Sequence, residues 1–231
     1  MFFDPIYILI VVLPTLVISG LAQAWVRGAY QKWSNVPNSR GVSGQQTAQI
    51  LMRDGGIQRV GLELGKGELS DHYDPRAGVV RLSPAVATQP SVASMAVAAH
   101  EFGHVQQDQQ KSPLMALRAM LIPSATLGPQ LGIGLIFAGL ILNITGLAVA
   151  GLILFAGAAV FTVVTLPVEL DASRRAMNLL RDTGLIASEQ DAEGAKAVLR
   201  AAAFTYVAAV ATSLLTLLYY AMLVFGGRNR D

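Results

Sequence analysis

Three stretches of this chain contain no Asp, Glu, Lys or Arg: Pro5 to Val26, Ala119 to Val168, and Ala201 to Gly227. A helix needs about 20 apolar residues to cross a bilayer, so these stretches predict one, two and one membrane-spanning helices. In the middle stretch, Asn143-Ile144-Thr145-Gly146 separates Leu131–Leu142 from Leu147–Leu166 and predicts a hairpin. Pro123 and Pro129 predict an irregular start to its first helix. The resulting division is a membrane anchor (1–26), a polar region (27–118), a membrane hairpin (119–168), a helical segment (169–200), and a last membrane helix with its tail (201–231).

The polar segments show shorter periods. Ser43 reads as an N-cap for a packing helix over 44–54 that stops at Gly55-Gly56. Gly56–Leu69 and Gly78–Ser83 read as short strands on either side of a turn at Asp74-Pro75. The second of them, as an exposed edge, would take up an extended peptide by strand addition. Pro90-Ser91 opens a helix whose Val92, Met95, Ala96, Ala99 and Gly103 form a small-residue face. Glu169–Leu180 reads as an amphipathic helix leaving the third span, and Glu189–Arg200 as one feeding the last. Trp25, Tyr30 and Trp33 suit an interfacial aromatic belt.

Composition supports the membrane reading. Apolar residues make up 53% and charged residues 14% of the chain, where a soluble domain carries roughly 25% charged residues; the mean hydropathy is +0.49. The net charge is only +2 and the basic residues are not clustered, which argues against a nucleic-acid partner. Of 17 Lys and Arg, ten lie between Arg27 and Arg118, five between Arg174 and Arg200, and two at Arg228 and Arg230. The two polar segments are separated by an even number of spans and so share one face, which the positive-inside rule makes cytoplasmic. Met1–Asp4 lacks a basic n-region, so the first span is expected to be a retained anchor and not a cleaved signal.

Chemistry enters with His100-Glu101-Phe102-Gly103-His104, which holds two of the three histidines in the chain. Positions i and i+4 share a helix face, so both imidazoles can reach one zinc ion while Glu101 serves as general base and acid on a water molecule. A catalytic zinc takes three protein ligands and keeps one position open. There is no cysteine to supply the third. The hairpin returns the chain to the same side at Val168-Glu169-Leu170-Asp171, which makes Glu169 the expected third ligand, with an interfacial charge as its plainer role. Asp171 lies about 200° around an ideal helix from Glu169. It is expected to orient a neighbouring group or to pair with Arg174 or Arg175. His72 lies in a polar cluster with Asp71, Tyr73 and Asp74, which is either a hydrogen-bonded turn or the place from which His72 or Tyr73 donates to a developing oxyanion.

On these residues the chain resembles the YugP-like family of bacterial membrane proteins described as "putative neutral zinc metallopeptidases". The matching runs are Leu69–Arg76, Val80–Ser83, Ala96–His104 and Leu166–Ala176, in order along nearly the whole chain. The resemblance implies zinc at His100, His104 and Glu169, with Glu101 as catalytic acid or base.

The expected fold is therefore a mainly α membrane protein of about four transmembrane helices with a small α+β, zincin-like juxtamembrane domain. The expected activity is zinc-dependent endopeptidase cleavage of a peptide or membrane-protein substrate at the bilayer of the bacterial plasma membrane, on its cytoplasmic side. Two other readings stay open: intramembrane cleavage of the site-2 type, and a membrane scaffold or regulator whose zinc is structural.

Overall fold

The structure, a computed structural model, describes residues 5–67 and 70–226. Met1–Asp4, Leu69 of the Leu69–Arg76 run and the tail with Arg228 and Arg230 lie outside the described residues. The element order is α1 (Pro5–Ser34), α2 (Gly44–Asp54), β1 (Gly61–Leu64), β2 (His72–Asp74), β3 (Val79–Leu82), α3 (Pro84–Thr88), α4 (Val92–Gln109), α5 (Pro113–Ile141), α6 (Thr145–Asp182) and α7 (Glu189–Gly226). Four of these, α1, α5, α6 and α7, are long and apolar enough to cross a membrane. The protein is thus mostly helical, with four candidate spans and one small sheet.

The described residues fall into two compact units. One contains 5–22, 113–167 and 205–226. Its packing rests on close helix approach: a Cβ at Gly139 would stand 2.3 Å from the Ala148 nitrogen, and one at Gly151 2.6 Å from the Gly132 oxygen. Small residues let two backbones touch where lipid offers no hydrophobic drive for association. The chain turns between α5 and α6 at Asn143, in the left-handed region at φ 56°. Contrary to the sequence expectation, α5 runs without a break through Pro123 and Pro129.

The second unit contains 23–112 and 168–204. Its three strands lie in the order β1-β3-β2, with β1 parallel and β2 antiparallel to β3. This corrects the edge-strand expectation: Val79–Leu82 is the central strand, hydrogen-bonded on both sides, and cannot accept a peptide by strand addition. Trp33 is likewise no interfacial anchor. It is 8% exposed, in the core, and lies over Gly194, where a Cβ would meet its ring at 2.4 Å. Trp25 is 48% exposed and packs on Phe204, ring centroids 5.0 Å apart.

Helix α4 is the centre of this unit. The Ser91 hydroxyl caps its start by accepting from the Ser94 N–H at 3.1 Å. Asn38 holds the approach, donating from Nδ2 to the Ser91 carbonyl at 3.2 Å and from its backbone N–H to the Pro90 carbonyl at 3.1 Å. Val92, Met95, Ala96, Ala98, Ala99, Phe102 and Val105 are fully buried. A helix apolar on nearly all sides belongs inside a core; α4 fits that pattern through Val105, with Glu101 and His104 buried, and reaches the surface at Gln109.

Candidate metal centre

Helix α4 carries His100 and His104 on one face, their rings edge to face with centroids 4.9 Å apart. Glu169 reaches them from α6, 69 residues further along the chain than His100. Its Oε2 lies 3.2 Å from His100 Nε2 and 3.5 Å from His104 Nε2. The carboxylate is almost wholly buried, at 2% exposure. Among the described residues, this is the group of three His, Asp or Glu side chains whose ligand atoms lie close enough, within 4.8 Å of one another, to hold a metal ion.

The spacing suits zinc. Ligands at about 2.0–2.2 Å in tetrahedral array stand roughly 3.3–3.6 Å from each other, and the two carboxylate-to-imidazole separations, 3.2 and 3.5 Å, fall close to that range. The donor set of two nitrogens and one oxygen is also one that zinc accepts. What brings it together is a glycine. At Gly103 α4 lies directly against α6, and a Cβ there would stand 2.3 Å from the Ala172 carbonyl oxygen.

Glu101 is buried beside the two imidazoles, at 7% exposure. Burial pushes its carboxyl above the usual range; His100 and His104 pull it back, while Asp71 and Glu169 add to the rise. For His104, burial disfavours the imidazolium, but hydrogen bonding and charge from Glu169 outweigh it and leave the ring above its ordinary value.

Asp171 is not in the cluster. It accepts from Arg175 Nε at 2.6 Å, from Arg174 Nη2, and from Gln107 Nε2 at 2.9 Å. The pairing with Arg174 and Arg175 is the one their i+3 and i+4 spacing allows. His72 is not brought to the cluster either. It is exposed on β2, donates from Nδ1 to the Ser70 carbonyl at 2.7 Å, and faces Arg81 Nη1 at 3.3 Å from Nε2. Its neighbour Tyr73 instead turns inward and donates to Asp108 Oδ2 at 2.7 Å; burial, then that carboxylate, raises the phenol's pKa. Asp71 and Asp74 fix the loop. The first accepts from the Ser83 N–H at 2.7 Å, the second from the Arg76 and Ala77 N–H groups at 3.0 and 3.2 Å.

Two residues around the cluster went unnoticed in the sequence. Ser173 Oγ lies 3.3 Å from His100 Nδ1, and Gln107 Oε1 lies 3.0 Å from His104 Nδ1. Their spacing was the available signal: Ser173 stands four residues after Glu169 and Gln107 three after His104, each one helical turn on along the same face.

Fold and site together define a helical membrane protein with a candidate metal centre. Residues 7–225 match the family described as "Putative neutral zinc metallopeptidase". A relative from Bacillus subtilis (strain 168), named "Putative membrane protease YugP", is 37% identical over 210 residues, covering 91% of this chain and 93% of the relative. The chain belongs to this family, whose description implies Zn2+ as cofactor. No solved structure matches it.

Proposed function

We propose that the chain is a membrane-bound zinc endopeptidase with a zincin-like site, in which His100, His104 and Glu169 hold the ion and Glu101 is the general base and acid. The observation that carries this is the convergence of Glu169 on the His100–His104 pair from a distant helix. Zinc held by these three residues would supply Lewis acidity towards a carbonyl oxygen and towards water. The rest is done by the chain. Glu101, desolvated and therefore more basic than a surface carboxylate, accepts the proton of the attacking water and returns it to the leaving amine. Ser173 and Gln107 hold the outer nitrogens of the two imidazoles and so fix the ring orientations.

Glu169→Ala tests the ligand set. The purified wild type should bind one zinc per chain, and the variant should lose most of it at matched fold, as judged by metal analysis and circular dichroism. Full zinc retention in Glu169→Ala would count against the assignment.

The substrate class supported by this chemistry is a peptide or membrane protein, and the side supported by the distribution of Lys and Arg is the cytoplasmic face of the plasma membrane. The natural chain has no cysteine, so Lys66→Cys places a single thiol at an exposed position of the second unit. In intact cells a membrane-impermeant maleimide should leave it unmodified, and in inverted vesicles should label it; labelling in intact cells would reverse the orientation.

A further inference from the structure

Gln107 is the side chain of this unit that burial explains least. It is 1% exposed, although glutamine ordinarily stays at the surface, and each of its polar atoms is used. Its Nε2 donates to the Val168 carbonyl at 2.8 Å and to Asp171 Oδ2 at 2.9 Å, while its Oε1 faces His104 Nδ1 at 3.0 Å.

An amide has two N–H donors and one acceptor oxygen. The Val168 carbonyl can only accept. Asp171, gripped by Arg174 and Arg175, is a carboxylate and can only accept as well. Both Nε2 hydrogens are therefore committed, and turning the amide over would set its oxygen against two other acceptors. With Oε1 fixed towards His104, Nδ1 of that ring has to carry a hydrogen and donate it. The lone pair of the neutral imidazole is then confined to Nε2, the nitrogen that faces Glu169. His100 has no such constraint, because the Ser173 hydroxyl at its Nδ1 can donate or accept.

We propose that Gln107 is a positioning residue that dictates which nitrogen of His104 is offered to the metal, and that Asp171, held by its arginines, acts through Gln107 by dictating the amide's orientation. Gln107 also ties the histidine helix to the Val168 carbonyl, one residue before Glu169, so the same amide sets the spacing between ligands on α4 and α6. The proposal rests on the reading of His100, His104 and Glu169 as zinc ligands.

The test uses the full chain in detergent and reads zinc affinity by chelator competition. Gln107→Met keeps the volume and removes all three hydrogen bonds; it should weaken zinc binding about 10- to 100-fold, the usual scale for losing a partner that orients a metal-bound histidine. Asp171→Ala should weaken it by a smaller factor, and should add nothing in a Gln107→Met background. With only three histidines in the chain, 15N-histidine labelling gives a readout that simple packing would not move: zinc-loaded wild type should show a slowly exchanging Nδ1–H on His104, and Gln107→Met a fast one.

Wild-type zinc affinity in folded Gln107→Met, or strictly additive losses in the double variant, would overturn the proposal. Should Gln107→Met fail to fold, Asp171→Ala decides, and unchanged zinc affinity there overturns it. A wild type that binds no zinc would instead defeat the ligand assignment beneath it, so the two failures are distinguishable.

Discussion

Glu101→Gln should lower peptide hydrolysis by about 10²–10⁴-fold, the span typical of general acid–base groups, while zinc remains bound at one ion per chain. The amide is nearly isosteric with the acid and keeps the buried volume, so packing in α4 is undisturbed. It cannot take up a proton at neutral pH, so it can neither deprotonate the attacking water nor reprotonate the leaving amine. Glu101 is not among the three converging donors, which is why metal content should survive the change. The assay pairs metal analysis with turnover of a quenched fluorescent peptide or an unfolded membrane protein in the same detergent preparation. Hydrolysis undiminished in Glu101→Gln would refute the proposed acid–base role, and loss of zinc would move Glu101 into the ligand set.

The second large effect is expected at Gly103. A single added methyl at this position would have to occupy space 2.3 Å from the Ala172 oxygen and 3.0 Å from its carbonyl carbon. Both are backbone atoms of a long helix, so no side-chain rotation relieves the overlap. The contact can be relieved only by separating α4 from α6, and that separates His100 and His104 from Glu169. Gly103→Ala should therefore cost about 1–3 kcal/mol of stability, the usual range for overpacking, and should weaken zinc binding together with it. Gly28→Ala is the control. It sits in α1 with nothing within 4 Å of the added Cβ, and should be neutral or stabilising by up to about 1 kcal/mol through helix propensity. Denaturant titration and zinc competition on both variants check the pair; unchanged zinc binding in Gly103→Ala would show that the helices are free to adjust.

Much of this arrangement was legible from residue order. Charge-free runs are a direct record of the bilayer's cost for charge, so the four candidate spans and the hairpin at Asn143 followed from them. The return of the hairpin then brought Glu169 towards the motif helix. Packing order was not legible. Nothing local shows that Val79–Leu82 lies between two other strands, because β1 and β2 pair with it from opposite sides and β2 has only three residues, too few for an alternation to show. That brevity also concealed the opposite orientations of His72 and Tyr73. Trp33 resembled a membrane-interface residue until Gly194 offered its ring a place in the core. Pro123 and Pro129 were read as making the start of a helix irregular, and the helix continues through both. Gln107 stood inside the polar run Gln106–Lys111, where composition suggests a solvated helix end. Its spacing from His104 hinted at that contact, but its other two partners, the Val168 carbonyl and Asp171, lie 61 and 64 residues away.

His100 is made 69 residues before Glu169, and α5 and most of α6 are translated in between. At about 5–20 residues per second, the histidines wait roughly 3–14 s for the carboxylate. During that interval the His100–His104 pair and Glu101 are present without Glu169, so the proposed metal centre stays incomplete until α5 and most of α6 have been made.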